Sequence, residues 1–482
     1  MAATSSPQIS PKAPPSAVAV GGVFNLLEQP WIPVLYNDGR YARVGIKGAL
    51  EEAGCIRQVA ASNPMDRAAL LRFLLAVLYW CQGNPPEQAK KDQMMAGGQF
   101  PAGWFDKLIE RQECFNIFGG GPRFYQGPQD DRKRPVTELL QEIPTGNNFW
   151  HFRHSTDGSD GLCAACCAMG LLRLPMFAVS GLPDLKAGIN GTPPIYVIPT
   201  GRSLLHTLCV NWLACEPLGT PAWENSEPAP AAGSPVPLLD GLTRLSRRVR
   251  LHSPALDAAT CIGCGRLANL VVTCGYESAG VQRNEAWNDP HCLYGKAVIA
   301  PDLTKSSFQM DKPWDSLFTE ANGLDRFIPI AGTACLFAVG FATDNAKNVD
   351  VWERTWAIPP ATAEDGARAV EAIRLWSNEG KKIAVRLRPC GPSQRGLAAR
   401  VAATAIRPQI ESRISSRAAD FLSDPVGAGG RASMECRRMA IVAAGSLAPG
   451  FTTEAVRRRE QAVRSPARAA GAVSRAGKRG KK

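Results

Sequence analysis

Apolar side chains recur at helical spacing most clearly between Pro64 and Gln82. There Leu70, Leu71, Leu74, Leu75 and Leu78 line one face. Asn63 caps that helix, Pro64 occupies its first turn, and Gly83 with Pro85 and Pro86 stops it. Arg72 interrupts the apolar run Ala68–Cys81, which is too short to span a bilayer. Upstream, Phe24–Tyr36, the turn Asn37-Asp38-Gly39 and Tyr41–Ile46 predict a β-hairpin, with a short helix over Lys47–Ala53. Downstream, the pattern predicts a helix over Trp104–Phe118 ended by Gly119-Gly120-Gly121, then an extended piece over Pro122–Gln126. Asp160 is placed to cap a helix carrying Cys163 and Cys166. Strands are predicted over Ile195–Pro199, Leu267–Cys274 and Phe337–Phe341, and helices over Ser203–Trp212 and Ala363–Trp376.

Between these elements lie the segments that carry candidate chemistry. Residues 147–161 form a polar loop holding Trp150, His151, Phe152, Arg153 and His154, a mixture suited to stacking on a base while contacting phosphate. Residues 181–194 are rich in Gly and Pro, with Lys186 as their cation. The stretch 216–238 is dense in Pro, Ala, Gly and Ser and reads as a surface insertion. After Phe341 the short polar run Ala342–Asn348 makes a protruding tip.

Charge changes the picture at the C-terminal end. Residues 381–482 hold 22 Lys/Arg against 6 Asp/Glu, a balance of +16, while the first 380 residues carry −4. A segment of that sign favours a polyanion, most simply nucleic acid. The chain of 482 residues is 45% hydrophobic, ample for a core. Its fifteen cysteines and an Ala/Ser/Pro-rich residue 1–22 segment, without the pattern of an export signal, predict a cytoplasmic protein with a disordered N-terminal arm.

Two CxxC pairs stand out: Cys163–Cys166 and Cys261–Cys264. Thiolates separated by two residues can face one tetrahedral Zn²⁺, and two such pairs complete a four-sulfur shell. The second pair of a zinc ribbon normally follows within about 20 residues, so a shared ion here would staple remote parts of the chain. A compact rival set is Cys261, Cys264 and Cys274 with His291 or Cys292. A closed shell of sulfurs is structural rather than catalytic. The sequence carries no GxxxxGK[ST] phosphate loop, HExxH or GxSxG motif.

Five stretches occur in the order of one family: FNLLEQPWIPVLYNDG, FNIFGGGPRFYQ, the block Phe152–Cys166, CIGC and GFATDNAK. On these the chain resembles the CasA-type large subunit of the type I-E CRISPR Cascade, over about residues 23 to 376. The resemblance implies a non-enzymatic subunit that reads the short PAM flanking a target duplex from the minor groove. A wedge then starts unstacking the DNA, while guide RNA reads the target by pairing. It implies guide-RNA-containing Cascade subunits, double-stranded target DNA and a recruited helicase-nuclease as partners, with no membrane association.

By position, Phe152, Arg153 and His154 match the family's loop at the base of the complex. Gly181, Lys186 and Gly188 fall on or beside its PAM-sensing loop at 181–188, and Asp344, Asn345 and Lys347 on its wedge. The four cysteines match a zinc set. Pro183 and Asp184 stand in a sensing loop that is poorer in glycine than the family's, and Asn345 replaces a longer Gln. A lysine after the second knuckle has no clear counterpart; Arg283 or Lys296 is the substitute.

The expected fold is α+β: a mixed body with a structural zinc site over 23–365, a smaller helical bundle-like region over 366–463, and a basic disordered tail over 464–482. The rival functions are a zinc-supported nuclease using His151 or His154 with Asp157 or Asp160, and an RNA-binding scaffold.

Overall fold

The structure is a computed structural model that describes residues 24–127, 133–141, 161–178, 188, 190, 195–224, 235–245, 247–278, 287, 289–293, 335–344 and 347–357. The predicted N-terminal arm, the helix over Ala363–Trp376, the C-terminal region and the basic tail lie outside these residues.

In chain order the elements are β1 (Ile32–Tyr36), β2 (Tyr41–Val44), α1 (Ile46–Glu51), β3 (Ile56–Val59), α2 (Pro64–Gln82), α3 (Gln88–Gly97) and α4 (Asp106–Glu110). Then follow β4 (Arg134–Pro135), α5 (Ala164–Phe177), β5 (Ile195–Thr200), α6 (Leu204–Asn211) and α7 (Leu238–Thr243). The last are β6 (Arg247–Leu251), β7 (Ala258–Thr260), β8 (Leu267–Asn269), β9 (Thr273–Ser278), β10 (Cys292–Leu293), β11 (Cys335–Asp344) and β12 (Lys347–Ala357). Among the described residues the strands pair antiparallel in four small sheets, ordered β2-β1-β3, β10-β5-β11-β12, β4-β9-β6 and β7-β8. Mixed helices and antiparallel strands in this order make an α+β fold.

The predicted first hairpin forms, its turn fixed by Gly39 at φ 87° and by the Arg40 N–H donating to Asp38 Oδ1 at 2.8 Å. Asn63 caps α2 by accepting the Met65 N–H at 2.9 Å, and Gly83 at φ 73° ends it. The one-faced amphipathic helix expected there is instead buried on nearly every side, including Ala68, Val77 and Tyr79. The cause is that α5, α6, α7 and the β11–β12 pair all pack around it, and a helix surrounded by protein is apolar all round.

Three expectations at element boundaries are corrected. The helix over Trp104–Phe118 breaks into α4 and a 3₁₀ turn at Gln112–Phe115. The backbone at 115–117 pairs with residues 24–26 instead, and Asn25 Nδ2 donates to Gln112 O. Cys163, in extended conformation, is itself the N-cap of α5, so the capping role assigned to Asp160 does not hold. The single strand over Leu267–Cys274 divides into β8 and β9, which belong to different sheets, because Val271 turns aside to pair with Leu162.

The centre of the body is held by a buried ionic network. Arg72 donates to both oxygens of Asp289 at 2.6 Å and contacts His291 Nδ1 at 3.0 Å. Its guanidinium also stacks over the Tyr196 ring at 4.9 Å. Asn190 Nδ2 donates to Asp289 Oδ2 at 2.8 Å and to the Tyr196 hydroxyl at 3.0 Å, while His291 Nε2 meets Asn211 Oδ1 at 2.9 Å. The residue read as an interruption of the apolar run is thus the cation around which α2, β5, α6 and β10 are assembled. Burial alone would raise the Asp289 carboxyl, but the charge and hydrogen bonds of Arg72 hold it below the ordinary range. Among the described residues no helix is long and apolar enough to cross a membrane.

Removing one charge of this pair leaves the other buried and uncompensated. Asp289→Asn is expected to cost about 3–5 kcal/mol, read as a lower urea midpoint at unchanged m-value. Because the folded-state pKa is depressed, the contribution is present above the ordinary carboxylate range and is lost as pH falls through the folded value. The variant's deficit should therefore shrink in acid, and a deficit that is small or independent of pH would refute the assignment.

Candidate metal centre and nucleic-acid interface

The sulfur atoms of Cys163, Cys166, Cys261 and Cys264 all lie within 4.8 Å of one another. Cys163 Sγ and Cys264 Sγ are 3.7 Å apart. A disulfide requires about 2.05 Å, whereas four sulfurs about 2.3 Å from a central ion in tetrahedral array stand about 3.8 Å from each other. The geometry is that of a metal cage, and all four thiols are free.

Local sequence explains the cage. Cys163 sits at the N-terminus of α5 and Cys166 one turn later on the same side. Cys261 and Cys264 occupy the turn between β7 and β8, where the Cys261 N–H donates to Arg266 O and the Gly265 N–H to Cys261 O, both at 2.8 Å. Gly265 takes φ 70°, which favours glycine. Gly263 is needed for a different reason: a Cβ there would lie 3.0 Å from Cys166 Sγ and 3.2 Å from Leu162 Cδ2. The two pairs, 98 residues apart between Cys163 and Cys261, are tied by backbone as well. Leu162 and Val271 exchange two hydrogen bonds at 2.9 Å, the Ile262 N–H donates to Gly161 O, and the Cys163 N–H donates to Cys261 Sγ at 3.2 Å.

Four thiols in one cage cannot ionise independently. Hydrogen bonds from Cys163 and then Cys166 pull the Cys261 thiol down to about 6 and the Cys264 thiol further. Cys166 is pushed up by its contacts with Cys163, Cys261 and Cys264 and by burial. Cys163 is lowered by Cys166 but raised more strongly by the other two and by burial. A divalent cation at the centre would let all four sulfurs ionise. The rival set is not assembled: Cys274 Sγ faces Pro135 O at 3.9 Å, and His291 is engaged with Arg72 and Asn211.

Of the nucleic-acid candidates, Phe152, Arg153, His154, Gly181, Lys186, Arg283 and Asn345 lie outside the described residues, as do Lys296, His151, Asp157 and Asp160. Gly188 is described and buried. Its N–H donates to Ala178 O at 3.3 Å, and a Cβ would lie 2.4 Å from Pro175 O, so close packing on the end of α5 requires glycine there. Two residues on, Asn190 enters the Arg72–Asp289 network. One helix therefore begins in the sulfur cage and ends against the close of the 181–188 segment. The β11–β12 hairpin pairs from Cys335↔Ala357 to Asp344↔Lys347, bracketing Asn345. It is docked on α2 by Arg67, whose guanidinium stacks on Phe337 at 5.0 Å and contacts Glu353 Oε2 at 3.7 Å. Sequence reasoning missed the Arg72 network, whose members are too far apart in the chain for any spacing to link them.

If this cage holds the ion, Cys261→Ser should lower bound metal and melting temperature together. Gly263→Ala should do so with every ligand retained. Metal analysis and thermal scans before and after a chelator check both; full metal content and an unshifted melt in Gly263→Ala would refute the close approach to Cys166.

The family model "CRISPR-associated protein Cse1" matches residues 25–406. A curated relative, CRISPR-associated protein CasA/Cse1 of Thermus thermophilus, is 33% identical over 214 residues, a stretch that spans 42% of this chain and 42% of the relative. In three dimensions the chain is similar to Thermus thermophilus CasA, with a TM-score of 0.63 at 21% identity, covering 91% of this chain and 98% of that one. Cse1 of Acidimicrobium ferrooxidans gives a TM-score of 0.63 at 17% identity, over 92% and 98% of the two chains. A chain of a CRISPR RNA-guided surveillance complex gives 0.63 at 17%, over 92% and 100%. At these identities the structural matches establish the fold.

Proposed function

Since the chain belongs to the CRISPR-associated Cse1 family, we propose that it is the large subunit of an RNA-guided Cascade surveillance complex. In this reading it recognises PAM-flanked double-stranded DNA, starts strand separation and recruits a helicase-nuclease, without chemistry of its own. The observation that carries the reading is the long hairpin β11–β12, docked on the central helix α2 and closing on Asp344 opposite Lys347 around Asn345. An antiparallel ribbon whose connection carries Asn345 suits a wedge that enters a duplex and unstacks its first pair. Phe152, Arg153 and His154, the 181–188 loop with Lys186, and Arg283 supply the remaining contacts to the complex and the flanking motif.

The four sulfurs hold zinc in a structural role. Four thiolates leave no open coordination position for a water nucleophile, which argues against the zinc-supported nuclease. Free thiols throughout the described residues suit a reducing cytoplasm. The basic C-terminal segment adds phosphate contacts, and with them a steep salt dependence.

In reconstituted complexes Asn345→Ala should reduce R-loop yield on PAM-flanked duplex by several-fold while the melting temperature and subunit assembly stay unchanged. Equal yield from both proteins would remove the wedge assignment. Cleavage of duplex DNA by the purified chain with Mg²⁺ would overturn the non-enzymatic reading.

A further inference from the structure

The stretch FNIFGGGPRFYQ has no part in the cage, the sensing loop or the wedge, yet it builds a distinct cationic surface. Gly119 takes φ 125°, and Gly120 and Gly121 are exposed, with nothing within 4 Å of where a Cβ would stand. Four residues later Arg123 folds back: its Nε donates to Gly119 O at 2.9 Å and its Nη1 to Leu251 O at 3.0 Å. Beside it Arg250, on the outward-alternating face of β6, donates from Nη1 to Gly127 O at 3.4 Å.

Arg123 is thus fixed by two backbone carbonyls and Arg250 touches one, and both keep further N–H groups unspent. Among the described residues no carboxylate pairs with either. Strand register puts Gly275 opposite Arg250, whereas the neighbouring Arg248 lies opposite Glu277. Burial, and then the charge of Arg250, disfavour the Arg123 cation. Two partly buried guanidiniums that repel one another are costly unless an anion completes them. Oriented forks beside side-chain-free backbone suit phosphate.

We infer that Arg123 and Arg250, with the Gly119–Gly121 turn, form a second nucleic-acid contact that grips the phosphodiester backbone independently of base sequence. This rests on the nucleic-acid reading of the family fold, and it adds a surface that the 152–154, 181–188 and 345 segments do not include. The partner strand is either target DNA or guide RNA, which share the phosphate chemistry and which the experiment separates.

The test measures binding of the full chain to a random-sequence DNA duplex, and to a single-stranded RNA of equal length, over a salt series. The Arg123→Gln/Arg250→Gln double variant should lower the slope of log K against log salt on the true partner. The loss is about 0.9 per phosphate contact on duplex and about 0.7 on single strand, so nearly 2 units or about 1.4 units for the pair. The Arg123→Lys/Arg250→Lys variant should keep most of the slope, because the charges remain. An unchanged slope in the Gln variant on both probes overturns the inference, including the case in which Asp130 or Asp131 already neutralises the pair. Equal losses in the Gln and Lys variants overturn it too, since they would report packing rather than charge. Wild-type protein that binds neither probe would sink the nucleic-acid reading itself, and this surface with it.

Discussion

Sulfur atoms from two remote turns must share one small volume, and much of the site architecture follows from that constraint. Cys163 and Cys166 open α5, while Cys261 and Cys264 close the β7–β8 turn. The turns meet where Gly263 lies close against Cys166 and where Leu162 pairs with Val271. Both turns are packed against the main apolar cluster through Leu162, Val271 and Ile262, and an ion bound by the four sulfurs would add its ligation energy to that packing.

The four-cysteine cage is joined to the rest of the body through α5. Its far end receives Gly188, and Asn190 just beyond enters the charge network that also fixes Tyr196 and His291. That network holds β5 and β10, and β5 is the strand on which the β11–β12 hairpin is laid. The cage, the Gly188–Asn190 region and the hairpin are therefore successive contacts of one body.

Local signals made part of this legible. Asn63, Pro64 and Gly83 marked α2, Asn37–Gly39 marked the first hairpin, and each CxxC marked a knuckle. The sharing of one cage was not readable from spacing, since 98 residues separate Cys163 from Cys261; family resemblance supplied it. Arg72 and Asp289 are 217 residues apart, and no periodicity links them. Arg72 read only as a flaw in an apolar run, and His291 as a rival ligand. The helix expected over Trp104–Phe118 failed because pairing with residues 24–26 outweighed local propensity. The cationic pair at Arg123 and Arg250 was equally hidden, since a strand register and a glycine turn bring it together.

The most direct measurement is X-ray absorption at the zinc edge of the purified full chain. The account predicts one zinc per chain with four sulfur neighbours at about 2.3 Å and no oxygen or nitrogen in the first shell. A shell containing a water or imidazole, or zinc bound with fewer than four sulfurs, would contradict a closed structural clamp.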